Sequence, residues 1–257
     1  MLDLGSPAGA YIERGAARGG LPYENDGIGG SLMKLRAWVL GLAAMVAWSA
    51  PSQGADRFGD PYIGLRAIGA YSVFNDTNGT GFAGARERTN EEDLVAGIGG
   101  VVGYRFFRVP LRMEVEGHYR FRFDWDNRDL DPAGTVDYES NVETIAVLFN
   151  TILDWRNSSS FTPYIGISLG WARHTNDTNR VIIPTQARQN LEESTNEIAY
   201  GVMLGMDWAI TEDWSAGLAY RYIRLGQVET GTFAGGDSIE VETYDSHDIL
   251  LNVNYTF

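Results

Sequence analysis

The chain has 257 residues, 44% of them hydrophobic and 12% aromatic, with 31 Gly, 8 Pro and no Cys. That length suits one or two domains, and the missing thiols exclude a disulfide framework and any thiolate metal site. A formal charge of -14 argues against nucleic acid as a partner, because phosphate binding draws on Lys and Arg.

Residues 1–32 are Gly-rich and aperiodic, and Met33 stands directly before Lys34, the sole lysine. The preferred reading is translation from Met33, with residues 1–32 a miscalled or disordered extension. Lys34 and Arg36 then precede an apolar run over residues 37–50, followed by Pro51, Ser52, Gly54 and Ala55. A basic patch, a short apolar run and small residues form the layout of a secretory signal. The run falls short of the roughly 20 residues a membrane helix needs. Residues 33–55 are therefore expected to be a signal peptide, cut between Ala50 and Asp56. A buried core helix is the alternative, disfavoured by the basic flank and the break at Pro51 and Gly54.

Past Asp56 the apolar period is two, which is the signal of strands. Residues 61–73, 94–106, 111–123, 142–153, 162–174, 197–210, 214–225 and 247–257 each read as one strand. Their lengths approach that of a tilted strand crossing a bilayer, and their even number suits a closed ring without edges. Connections 107–110, 154–160 and 211–213 are short, whereas 75–93, 124–141, 175–196 and 226–246 are long and polar. Short turns at one end and long loops at the other match periplasmic turns and extracellular loops.

The strand at 111–123 alternates most clearly. Leu111, Met113, Val115, Tyr119, Phe121 and Phe123 share one face; Arg112, Glu114, Glu116, His118, Arg120 and Arg122 share the other. A soluble lipocalin-like barrel would turn the apolar face inward. Two patterns oppose that. Elsewhere the non-aromatic faces are small, as in Gly97, Gly99 and Gly103, or Gly166, Ser168 and Gly170, which fits a narrow interior shared with long arginines. The opposite faces carry Tyr119, Phe121, Trp208, Trp214, Tyr220, Tyr222 and Tyr255, as the aromatic girdles of a lipid-facing wall would. Residues 56–257 are thus expected to form an eight-stranded antiparallel up-and-down transmembrane β-barrel. Its lumen should be plugged by charge: Arg66, Arg105, Arg112, Glu114, Glu116, His118, Arg120, Arg122 and Arg221.

In the last segment Ile249, Leu251, Val253, Tyr255 and Phe257 share a face, and the chain stops on the Phe. This resembles the C-terminal signature of bacterial outer-membrane barrels. Thr162-Pro163-Tyr164-Ile165-Gly166 and Gly217-Leu218-Ala219-Tyr220-Arg221-Tyr222 resemble the fifth and seventh strands of OmpA-like and opacity-type porin-family proteins. The resemblance covers roughly residues 61–257. It implies an outer-membrane location with termini in the periplasm, and assembly by the barrel-assembly machinery reading Leu251, Val253, Tyr255 and Phe257. It also implies contact with outer-membrane lipid and lipopolysaccharide. Family members include adhesins, surface antigens and envelope-stabilising proteins. No peptidoglycan-binding segment follows the last strand, so a cell-wall tether is not expected.

No constellation compels an enzyme. His118 sits among lumen carboxylates with no serine on its strand, so an ion-paired role outweighs that of a catalytic base. His174 and His247, at strand ends near Ser168 and Ser246, are the candidates for a lipid A-modifying site at the rim, a reading set below the non-catalytic one because a lone His and Ser at a strand end form no catalytic pair. Asp124, Asp126 and Asp129 lie in the densest acidic stretch, yet a calcium-binding EF-hand loop counted from Asp124 would place Asp129 and Thr135 where Gly and Glu are needed. No metal or cofactor is expected. The reading is a non-catalytic surface or envelope protein meeting a host or neighbouring-cell ligand through its loops. The alternative is a narrow channel for small solutes.

Overall fold

In the computed structural model, residues 58–80, 85–89, 92–131, 134–183, 185, 187–233 and 238–257 are described, with side chains omitted for 76–91, 123–135 and 239. The expected signal peptide and extension lie outside these residues. The strands are β1 (Gly59–Thr80), β2 (Ala85–Thr89), β3 (Glu92–Phe106), β4 (Leu111–Asp131), β5 (Gly134–Asp154), β6 (Phe161–Ile182), β7 (Ala187–Ala209), β8 (Trp214–Arg224), β9 (Val228–Thr232) and β10 (Ser238–Thr256).

Eight of them form the ring β1-β3-β4-β5-β6-β7-β8-β10, every pairing antiparallel. Closure comes from β1 against β10, in unbroken register from Tyr62↔Thr256 to Asn75↔Thr243. A closed ring leaves no edge in hydrocarbon, where an unpaired backbone group costs several kcal/mol. β2 and β9 lie off the ring, paired with β4 and β10 respectively.

The pleat sends alternate residues to opposite faces, and burial follows it. Each ring strand turns a large apolar residue outward: Leu65, Ile98, Val115, Phe149, Ile167, Val202, Leu218 and Leu251 are all exposed. At the short-turn end this wall finishes in contacting rings, with Phe161 stacked on Trp208 at 6.1 Å and Trp214 at 5.1 Å from Tyr255. At the other end Tyr119 meets Phe121 edge-on at 5.4 Å, and the Tyr220 hydroxyl lies in hydrogen-bond contact with His247 Nδ1 at 2.7 Å. An apolar band between two aromatic belts is the surface a bilayer requires.

The short turns fall as expected. The long loops do not: β4 and β5 pair up to Asp131↔Gly134, and β6 and β7 up to Ile182↔Ala187, so most of that polar sequence is strand. Strands of 21 to 23 residues, as in β4 to β7, run well beyond the 9–11 that cross a bilayer. Outside lipid neither outward composition nor alternation is constrained, while the ladder still satisfies the backbone. That is why pairing continues where the sequence pattern fades.

The inward face explains the glycines. A Cβ on Gly103 would enter the Tyr62 ring, one on Gly205 would lie 2.6 Å from Tyr164 Cζ, and one on Gly217 would strike Asp207 Oδ1. Small residues stand where the large lumen side chain of the cross-strand partner, Tyr62, Tyr164 or Asp207, needs the space.

Candidate functional site

The lumen is stacked in three tiers, two charged and one apolar. In the middle tier Glu116 gathers groups from four strands. Arg66 on β1 ion-pairs with its Oε2, Arg221 on β8 donates to Oε1 at 2.9 Å, Asn150 on β5 donates to Oε2 at 2.9 Å, and His118 Nδ1 lies 2.9 Å from Oε1. Arg66 also reaches Glu114 at 3.2 Å and donates to Asn252 at 2.7 Å, while Tyr62 donates to Glu114 at 2.6 Å. Asp248 on β10 takes Arg120 at 2.6 Å and Arg221 at 2.9 Å. Ser246 accepts from Arg120 at 2.8 Å and donates to Asp248 at 2.7 Å.

Nearer the short turns, Arg112 bridges Asp154 at 3.0 Å and Asp207 at 2.6 Å, its guanidinium 4.7 Å over the Tyr164 ring. Arg105, partly exposed at the mouth, lies 3.6 Å and 3.9 Å from the same two carboxylates. Arg66, Arg105, Arg112, Arg120 and Arg221 thus face Glu114, Glu116, Asp154, Asp207 and Asp248, and formal charge across the lumen cancels. Burying unpaired charge costs several kcal/mol, so a balanced set is what a closed interior tolerates.

Two expectations need correcting. Arg122 is not in the lumen. The ladder between β4 and β5 shifts register between Arg120 and Phe123, and this β-bulge turns Arg122 outward, 66% exposed, to meet Glu143 at 3.2 Å. Nor is the lumen polar throughout. Above the charged tiers, toward the long hairpins, Phe74, Val142, Leu225, Val228, Val241 and Tyr244 are buried in one apolar cluster. Beyond the membrane the barrel is a water-bounded fold and needs an apolar core of its own.

The remaining candidates separate. His174 lies inside this upper region, bonded to Thr144 Oγ1 at 2.9 Å and the Leu225 carbonyl at 2.8 Å, 5.5 Å from the Tyr244 ring. His247 faces outward. Among the described residues neither hydrogen-bonds a serine. His118 holds Glu116 through one ring nitrogen and accepts from Arg120 through the other at 3.4 Å. Side chains of the 124–131 stretch lie outside the described ones, and elsewhere no cluster of three metal-ligating groups occurs among the described residues. Sequence reading missed Asp154, Asp207 and Asp248, although strand alternation places Asp248 opposite Ile249 and Leu251, on the face of Asn252.

Arg122 and Glu116 should behave as opposites. Arg122→Ala is expected to shift stability by no more than about 0.5 kcal/mol, the scale of an exposed ion pair. The urea midpoint of the purified protein in micelles measures it.

A closed antiparallel ring with an apolar belt outside and paired charge inside defines an outer-membrane β-barrel. The chain belongs to that family: residues 40–257 match the model described as outer membrane protein beta-barrel domain. It is 27% identical over 235 residues to the outer membrane protein PagN of Salmonella typhimurium, covering 83% of this chain and 95% of that one. Among solved structures it is similar to Neisserial surface protein A, with 16% identity, TM-score 0.45, and 77% and 97% of the two chains covered. Another is OprG from Pseudomonas aeruginosa, with 15% identity, TM-score 0.48, and coverage of 78% and 97%. The protein is a bacterial outer-membrane protein, and lipid surrounds its wall.

Proposed function

We propose that this protein is a non-catalytic display barrel, whose sealed trunk carries a tall extracellular rim that contacts a host-cell or neighbouring-cell ligand. Its termini lie in the periplasm and its long hairpins outside the cell. Residues 33–55 direct export, and the barrel-assembly machinery reads Leu251, Val253, Tyr255 and Phe257. Lipopolysaccharide surrounds the outer part of the wall.

The observation carrying this reading is the lumen in which arginines and carboxylates ion-pair across the barrel, Glu116 and Arg221 are completely buried, and the charged tiers lie beneath an apolar one. Ions would have to pass both, and an eight-stranded interior is just wide enough for side chains. A molecule sealed in this way acts through its surface, and the surface it raises above the membrane is the hairpin rim.

Two measurements test the proposal. Purified protein in planar bilayers is expected to give no steady open-channel current; a sustained conductance altered by Glu116→Gln would replace the sealed trunk with a channel. Expression in a non-adherent bacterium should raise attachment to epithelial cells or to sister cells. Removal of hairpin residues 124–141 should abolish that gain, and attachment unaffected by their loss would refute display through this rim.

A further inference from the structure

The bulge that expels Arg122 from the lumen leaves a cation on the lipid-facing wall, at the belt nearest the hairpins. Glu143 on β5 accepts from Arg122 at 3.2 Å and also hydrogen-bonds Tyr119. On the next strand Arg173 is exposed on the same face, two residues beyond Trp171. Its cross-strand neighbours are Ile145 and Asn196, and no carboxylate pairs with it among the described residues. Among the described side chains of β4, β5 and β6 this patch holds two arginines and one carboxylate, in a chain of charge -14. Adjacent strands lie about 4.8 Å apart, so two extended arginine side chains from β4 and β6 can reach one headgroup.

An outward cation here has few options. In hydrocarbon it costs at least about 2 kcal/mol, and at the boundary it is offset by an anion. Among the described side chains one carboxylate serves two guanidiniums; the leaflet supplies phosphate, which guanidinium binds in bidentate fashion. A bulge also re-aims a side chain where regular pairing would have buried it. We propose that Arg122 and Arg173 form a binding site on the barrel wall for a phosphate-bearing lipid headgroup, that of lipid A in the outer leaflet. The outer-leaflet placement rests on the orientation proposed above; the phosphate chemistry does not.

The test uses the full folded protein in micelles, titrated with lipid A or with lipid A stripped of its phosphates, and bound lipid counted by native mass spectrometry. Wild type should retain the phosphorylated form about tenfold more strongly, the scale of one charge-assisted contact. Arg122→Gln/Arg173→Gln should lose that preference while keeping its heat-modifiable gel migration, and Arg173→Gln alone should lose part of it. Equal retention of the two lipids, or a preference surviving in the double variant, would overturn the site. Displacement by millimolar inorganic phosphate would overturn the lipid assignment in favour of a soluble anion. Orientation is read separately, by protease cleavage of intact cells at a site inserted in the β4–β5 hairpin.

Discussion

Glu116→Gln is expected to destabilise the folded barrel by about 3–5 kcal/mol, the range for breaking a buried ion pair from one side. The substitution keeps the shape but deletes the charge on which Arg66 and Arg221 converge and turns one of two accepting oxygens into an amide donor. Both arginines stay where they are, because Glu114 and Asp248 still hold them, so the closed tier acquires one uncompensated positive charge. Removing that excess as well should recover part of the loss. Glu116→Gln combined with Arg221→Met is therefore expected to be less damaging than the sum of the two single changes, a coupling that a double-mutant cycle reads directly. The urea concentration at which the compact gel band disappears is the measurement. A shift as small as that of Arg122→Ala would mean that water reaches Glu116 and that the tier is not sealed.

The trunk of this fold was legible because lipid imposes a strict rule on one face. From Leu111 to Arg120 each outward residue is large or small but uncharged, and each inward one is polar, so membrane-crossing strands could be marked to within a few residues. The rule lapses in two places. At Phe121 and Arg122 both side chains are exposed, and a bulge of this kind leaves the alternating pattern of residue types intact while reversing what it means. Above the membrane, stretches such as 136–144 have Tyr138, Ser140, Val142 and Thr144 inward, a mixed face that carries no hydrophobic period although it is buried. The lumen partners were half legible. The lumen arginines declared themselves by standing on lipid-spanning strands, where an inward position costs least. Asp154 was hidden by its place at a strand end, and which arginine each carboxylate takes depends on the stagger of the ring, which no local pattern encodes.

The stagger also sets how much room each inward position has, and at Gly170 there is none for a side chain. A Cβ there would meet no flexible side chain: it would strike the Val147 carbonyl oxygen and lie 2.8 Å from Leu148 Cα, both backbone of the adjoining β5. Backbone cannot turn aside as a rotamer does, so β5 and β6 would have to part at a point where they are paired without interruption from Asp154↔Tyr164 to Val136↔Ile182. Gly170→Val is therefore expected to cost about 3 kcal/mol or more, the upper end for overpacking, and to lower the fraction that assembles into the heat-modifiable form. Gly69 provides the contrast. It occupies an outward position on β1, nothing lies within 4 Å of an added Cβ, and Gly69→Val should leave assembly unchanged. Equal tolerance at the two positions would mean that the interior is wider than its side chains require. A wider interior would hold water among the arginines and carboxylates, whereas these charges stay paired because the wall holds them within reach of one another.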